Sequence, residues 1–287
     1  MEFRAPAKIN LTLRVKGRRE DGFHEIESLV CPISLHDTLE IVALDRGGLD
    51  FSCDDPSLPI GDTNLVVRAA RLFCAAHGSE PHLRIVLTKR IPHGAGLGGG
   101  SSDAAATLAA LDRIFQTQLG LGALSALAAE LGSDVPLFLH GSAARVSGRG
   151  EQVAPAAFPH RLPLLLIKPP FGVPTPWAYG RWQDSREVPG APSAPQEFPW
   201  GVLQNDLERP VFEKYLFLAL LKRWLLAQPE VAGALLSGSG STVFAVLRTE
   251  DASPELIVRL MGEFGEDLWC CSAETVGGES VPKVDGG

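Results

Sequence analysis

Apolar residues alternate with other types from Ala7 to Val15, with Ile9, Leu11, Leu13 and Val15 two apart, which predicts a strand buried on one face. A charged turn follows from Gly17 to Gly22, and further alternating segments at Glu25 to Cys31 and Thr38 to Leu44 predict two more strands. The period then lengthens. Asp62-Thr63-Asn64 supplies an N-cap ahead of Leu65, Val66, Ala69, Ala70, Leu72 and Phe73, a helical stripe that Gly78 ends. His82 to Ile91 reads as a strand and Ala104 to Phe115, with Leu108, Leu111 and Phe115 on one face, as a helix. Leu121 to Leu131 predicts another helix stopped by Gly132, and Ser133 to Leu139 a short one that tolerates Pro136 in its first turn.

The second half has a different texture. Leu162 to Ile167 is a continuous apolar run, the mark of a buried strand, and Pro169 to Pro199 is a Pro-dense, aromatic excursion in which Trp177 and Tyr179 are candidates to stack on a ring. Asn205-Asp206-Leu207-Glu208 introduces an apolar helix over Val211 to Leu226. Leu235 and Leu236 lead into Ser237-Gly238-Ser239-Gly240-Ser241-Thr242, and Val243 to Leu247 reads as a strand. The pattern predicts two domains, 1–155 and 160–272, and a polar, glycine-rich tail, 273–287, that frays.

Composition narrows the classes. A chain of 287 residues supports a large core, and a net charge of −8 disfavours a nucleic-acid partner, which needs a basic face. No apolar stretch approaches the roughly 20 residues of a membrane span. Five cysteines without a C-x-x-C pair suit reduced thiols, so the expectation is a soluble, cytoplasmic protein with no membrane partner.

The richest chemistry lies in Pro92-His93-Gly94-Ala95-Gly96-Leu97-Gly98-Gly99-Gly100-Ser101-Ser102-Asp103, a glycine run between a strand and a helix. Glycines let the backbone approach a ligand, and the first N–H groups of the helix point at negative charge, so the segment predicts a cradle for a nucleotide polyphosphate. It lacks the Gly-Lys-Ser/Thr ending of a P-loop. The spacing Gly94, Gly96, Gly99 matches a dinucleotide fingerprint, but no acid follows near Leu119 to hold a ribose. A ligand-free glycine hinge is the plain alternative. The small-residue loop from Ser237 to Thr242 suits ligand lining or a hairpin turn. Lys8 is a charge in an apolar strand, able to snorkel from a sheet edge, and Asp134 is placed to cap a helix.

Taken together and in order, the strand with Lys8, the loop 92–102 and the loop 237–242 resemble the GHMP kinases. Pro6-Ala7-Lys8-Ile9-Asn10-Leu11, Gly17 to Glu25, Asn64 to Ala70, Gly132 to Pro136, Pro174-Thr175-Pro176 and Asn205 to Glu208 are similar to the motifs of the branch that phosphorylates 4-diphosphocytidyl-2-C-methyl-D-erythritol. The resemblance implies an α+β, two-lobed fold: an N-terminal mixed-sheet lobe, like the second domain of a small-subunit ribosomal protein, and a C-terminal ferredoxin-like lobe. It implies ATP as co-substrate, Mg²⁺ as its companion, and a hydroxyl at carbon 2 of the cytidyl polyol as acceptor. Asp134 would be the base and Lys8 the neighbouring cation. Residues 92–102 would hold the ATP phosphates, with Asn64 and Lys89 nearer the nucleoside. Phe23, His24 and Tyr179 would take the cytosine, and Asn10 and Thr175 would be polar contacts to the acceptor. Phe23 stands where tyrosine is usual, so the ring face remains and a hydroxyl is lost. The metal ligands are not legible in the pattern, Ser101 or Ser102 being candidate oxygens. Rival readings are another GHMP kinase, which would not need Phe23, His24 and Tyr179, and a ligand-binding protein without catalysis, which would not need Lys8 and Asp134.

Overall fold

The alternating start of the chain forms a long antiparallel pair, β1 (Glu2–Arg18) and β2 (His24–Ala43). The computed structural model describes residues 1–276. Where the pattern predicts two strands after the first turn, β2 is continuous, because Asp37 and His36 pair with Ala5 and Pro6 of β1 and carry the ladder across the polar stretch. Then come β3 (Leu49–Cys53), α1 (Leu65–Ala76), β4 (Leu83–Thr88), α2 (Gly99–Phe115), α3 (Leu121–Leu131), α4 (Val135–Phe138), β5 (Ala144–Gly148) and β6 (Gln152–Pro155). Asn64 caps α1 as its sequence predicts, its side chain accepting from Val66 N at 2.9 Å.

The second half supplies β7 (Pro163–Lys168), α5 (Thr175–Arg181), β8 (Gln196–Phe198), β9 (Gly201–Asn205), α6 (Glu208–Lys214), α7 (Leu216–Leu226), β10 (Val231–Leu236), β11 (Val243–Leu247), α8 (Ser253–Phe264) and β12 (Trp269–Glu274). The single helix expected over Val211 to Leu226 is two, because Tyr215 leaves helical geometry with ψ 70° and stacks its ring on Phe171, 5.5 Å away. The tail expected to fray from residue 273 continues as β12 to Glu274, and Thr275 bridges to Ile33; the rest of that tail, 277–287, lies outside the described residues.

Two sheets result. The first has eight strands, with the path β3-β4-β2-β1-β9-β8 and β5 and β6 attached through β2; the β3–β4 and β1–β9 pairs are parallel and the others antiparallel. The second is an antiparallel sheet in the order β10-β11-β7-β12, which, with helices between β7 and β10 and between β11 and β12, has the βαββαβ topology of a ferredoxin-like plait. The chain crosses between lobes more than once, since β8 and β9, from beyond residue 160, complete the first sheet beside β1.

The continuous apolar runs have a direct cause. Leu165 and Ile167 of β7 face a core shared with α6, α7 and α8, while Leu164 and Leu166 face a second core against Ile9 and Leu11 of β1. Both faces of the sheet are buried, so no polar alternate is tolerated. In β1 the opposite holds. Ile9 and Leu11 point into the inter-lobe core and Lys8 and Asn10, on the other face, line a cleft between the lobes.

Candidate active site

The cleft encloses about 1100 Å³, at or above the roughly 300–1,000 Å³ of a pocket for one drug-sized ligand, so it has room for two partners side by side. One wall is the glycine loop. Its apex runs into α2, whose N-cap, Gly98, supplies no capping side chain, so no side chain competes for an anion there. Gly96, at φ 77°, lies so close to the second small-residue loop that a Cβ there would overlap Ser237 O and come to 2.9 Å from Gly240 O. A Cβ on Gly98 would meet Phe138 at 2.7 Å and Lys8 Cγ at 3.1 Å. The glycine loop is therefore a packed wall and not a hinge. The loop 237–242 joins β10 to β11 as a hairpin connection, and Gly238 and Ser239 also line the cleft.

Lys8 sits where these parts meet. β9 pairs with β1 at Thr12 and Leu13, beyond Lys8, and at Lys8 the glycine loop covers that side of the strand, Lys8 N donating to Leu97 O at 2.9 Å. Lys8 is 6% exposed, with Nζ donating to Asn10 Oδ1 at 2.7 Å and to Gly96 O at 2.9 Å. Asn10 is held in turn by its Nδ2 bond to Ser28 Oγ at 2.8 Å. Burial lowers the Lys8 pKa from its ordinary value, and the Asp134 carboxylate opposes that shift through space. Asp134 itself is exposed at the start of α4 and makes no capping bond, so helix capping does not account for it. Its carboxylate faces the cleft with Ser133 and the Arg149-Gly150 turn around it.

Phe23, His24 and Tyr179, from the β1–β2 turn, the start of β2 and α5, also line the cleft, with Arg149 beside Phe23 and Asp134 within electrostatic reach of Tyr179. The His24 and Tyr179 rings lie 5.5 Å apart. Burial, and then Arg18, lower the His24 pKa, which favours the neutral imidazole that can both donate and accept. Burial raises the Tyr179 phenol, and Asp134 adds to the shift. Trp177, two residues earlier, packs away from the cleft, edge-on to Tyr215 at 5.7 Å. Thr175 Oγ1 pairs with Ser239 Oγ at 2.7 Å, closing the floor of the cleft.

Of the expected ATP contacts, Ser102 alone lies off the cleft lining. The Lys89 ammonium lines the cleft and is tied to Asp37 and, at 2.8 Å, to Asp103. Asp37 also accepts from Arg90 N and Ile91 N at 2.6 and 2.8 Å, which fastens the entry of the glycine loop to β2. Ser102 points into the lobe, 1% exposed, and its Oγ has no partner among the described residues; Ser101 lines the cleft. Asn64 lines it too, with its amide committed to Val66 N and Pro59 O. Pro92, His93, Gly94, Ala95, Leu97, Gly99 and Gly100 all border the cleft.

Residues 64–142 match the GHMP kinases N terminal domain and residues 199–267 the GHMP kinases C terminal domain. A 4-diphosphocytidyl-2-C-methyl-D-erythritol kinase from Methylacidiphilum infernorum is 46% identical over 92% of this chain and 93% of its own length. The chain belongs to the 4-diphosphocytidyl-2-C-methyl-D-erythritol kinase family of GHMP kinases. A kinase of the same name from Nitratidesulfovibrio vulgaris is 39% identical over 90% of this chain and 94% of its own. A crystal structure of a 4-(cytidine 5'-diphospho)-2C-methyl-D-erythritol kinase superposes with a TM-score of 0.79 at 36% identity, covering 96% of this chain and all of that one. A homoserine kinase from Cytophaga hutchinsonii shares the fold, with a TM-score of 0.66 at 17% identity over 96% of this chain and 94% of its own.

In this family member the pattern of apolar and polar residues leaves unflagged two residues that line the cleft and one buried behind its wall. Arg149 stacks its guanidinium over Phe23 at 4.9 Å, on a turn flanked by Gly148 and Gly150. Ser28 holds Asn10, and Asp37 holds the glycine loop. The Gly-Arg-Gly sequence was a visible turn signal, but only the fold brings it opposite Phe23.

Proposed function

We propose that the cleft transfers the terminal phosphoryl group of ATP to the hydroxyl at carbon 2 of 4-diphosphocytidyl-2-C-methyl-D-erythritol. As a GHMP kinase, the chain uses ATP. The observation that carries the site assignment is a buried cation, Lys8, and a carboxylate that caps no helix, Asp134, lining one cleft within electrostatic reach of each other, together with a glycine loop and aromatic side chains. An alcohol is a weak nucleophile near neutral pH, and a carboxylate within reach accepts its proton as the phosphoryl group arrives. Lys8 uses two of its N–H donors on Asn10 and Gly96 among the described residues, which leaves one for charge that develops during transfer.

The glycine loop and the N-terminus of α2 would cradle the phosphates through backbone N–H groups. Mg²⁺ would accompany ATP and neutralise phosphate oxygens, with Ser101 the loop hydroxyl open to the cleft. Phe23 and Tyr179 offer ring faces to a pyrimidine, and the neutral His24 offers a donor and an acceptor to its edge.

A coupled ADP-release assay with Mg²⁺-ATP tests the reading, with the cytidyl polyol, homoserine, mevalonate and galactose as acceptors. Turnover with the cytidyl compound alone is the expected result. Turnover with one of the others and not with it would retain the kinase and discard the role of the aromatic cluster.

A further inference from the structure

The segment Asn205-Asp206-Leu207-Glu208 lies behind the cleft and does not line it, yet every one of its polar side chains is spent on backbone or a buried partner. Asn205 ends β9 and is 3% exposed. Its Nδ2 donates to Leu236 O at 2.8 Å and to Gly238 O at 2.7 Å, and its Oδ1 accepts from Leu207 N at 2.9 Å. Asp206 Oδ2 accepts from Val15 N at 2.8 Å, and Asp206 N donates to Leu13 O at 2.9 Å. Glu208 Oε1 accepts from Leu236 N at 3.0 Å while Oε2 accepts from Lys222 Nζ at 2.7 Å, all of it buried. Four consecutive residues therefore fasten β1, the strand of Lys8, to the end of β10 and the loop that follows it.

That loop is the lid on Lys8. A Cβ on Gly238 would lie 3.3 Å from Lys8 Nζ, 3.4 Å from Gly96 O and 3.5 Å from Asn10 Oδ1. Ser237 Oγ donates at 3.0 Å to Gly96 O, the same carbonyl that Lys8 uses. The turn at Gly238 has φ 57°, and one buried amide collects the carbonyls on both sides of Ser237. No water can take over those carbonyls without opening the site. The turn keeps its shape only while both donors are in place.

We propose that Asn205 is a positioning residue for phosphoryl transfer: by holding Leu236 O and Gly238 O it presses the 237–242 loop onto Lys8 and so fixes the direction of the ammonium. The proposal rests on the phosphoryl-transfer reading of the cleft. It assigns a role in turnover to a side chain that reaches neither ligand.

The test compares Asn205→Ala, and Asn205→Ser with one donor kept should the alanine variant not fold, with the paired variant Glu208→Gln/Lys222→Met. The pair disturbs the same segment but keeps an acceptor for Leu236 N and leaves no unpaired buried charge. Two readouts are taken below the melting temperature of every variant: kcat and KM for both substrates, and the rate of competitive acetylation of Lys8 by peptide mass spectrometry. In the Asn205 variants kcat is expected to fall about 10²-fold, the scale for misplacing a reacting group by ~1 Å, with KM for ATP held within a factor of about 3. Lys8 acetylation is expected to accelerate. The paired variant should lose melting temperature and keep both kcat and the acetylation rate. Acetylation and kcat unchanged in the Asn205 variants, or changed equally in the paired variant, would overturn the proposal. Because acetylation is read without substrate, faster labelling in a protein whose wild type does not turn over would count against the functional reading alone.

Discussion

Gly96→Ala is the sharpest probe of how the two glycine loops build this cleft, because Gly94→Ala, two residues away, controls for it. Both positions are left-handed, φ 77° and 63°, so each alanine carries the cost of that conformation, about 1–2 kcal/mol. At Gly94 nothing lies within 4 Å of the new methyl group. At Gly96 it overlaps Ser237 O and stands 2.9 Å from Gly240 O and 3.2 Å from Gly240 C. These are backbone atoms that cannot rotate aside, and overpacking of that kind costs about 1–3 kcal/mol more. The expected totals are about 2–5 kcal/mol for Gly96→Ala and about 1–2 kcal/mol for Gly94→Ala. Thermal unfolding followed by circular dichroism measures the difference; at about 2–4 °C per kcal/mol, the Gly96 variant should melt several degrees below the Gly94 variant. Its kcat should also fall, since Gly96 O holds both Lys8 Nζ and Ser237 Oγ, whereas Gly94→Ala should act on KM for ATP. Equal melting temperatures for the two variants would refute the packing of one loop on the other.

Asp134→Asn should keep ATP binding, measured by calorimetry, and lose most turnover; full turnover would remove the base assignment. Tyr179→Ala should weaken the cytidyl substrate by about 1–3 kcal/mol and ATP by much less, and equal losses for both ligands would contradict the stacking assignment. Asp103 bears on pH. Its carboxyl is pushed up to about 7, first by burial and then by the charge of Asp37, against the pull of Lys89. Since the folded value lies above the unfolded one near 4, this group's stabilisation is complete below about pH 4 and is lost as pH rises through about 7. Asp103→Asn removes that dependence, so its melting temperature relative to wild type should rise between pH 4 and 7; a parallel pair of curves would show that Asp103 does not titrate in that window.

Much of this architecture was written locally. Period-two alternation placed Lys8 and Asn10 on the face opposite Ile9 and Leu11, Asn64 announced the start of α1, and the unbroken apolar runs at Leu164 to Ile167 and Val243 to Leu247 required strands buried on both faces. The glycine run was legible as a segment that needs close backbone approach, which Gly96 and Gly98 make. Local pattern carries no information about which distant groups will meet. It left Asp134 open to a capping role that the tertiary structure withholds, and gave no sign that Asp37 and Asp103 would meet the Lys89 ammonium at the cleft. It drew one helix where Tyr215 turns out to stack on Phe171, and a boundary near residue 155 that β9 crosses to pair with β1. Sequence by itself determined the elements, their buried faces and the residue types able to do the chemistry, because backbone propensity and side-chain period act over a few residues. Only the tertiary structure decided which charges are matched, which glycines touch and which strand carries Lys8 to the second loop, because those depend on contacts such as Ser237 with Gly96, 141 residues apart in the chain.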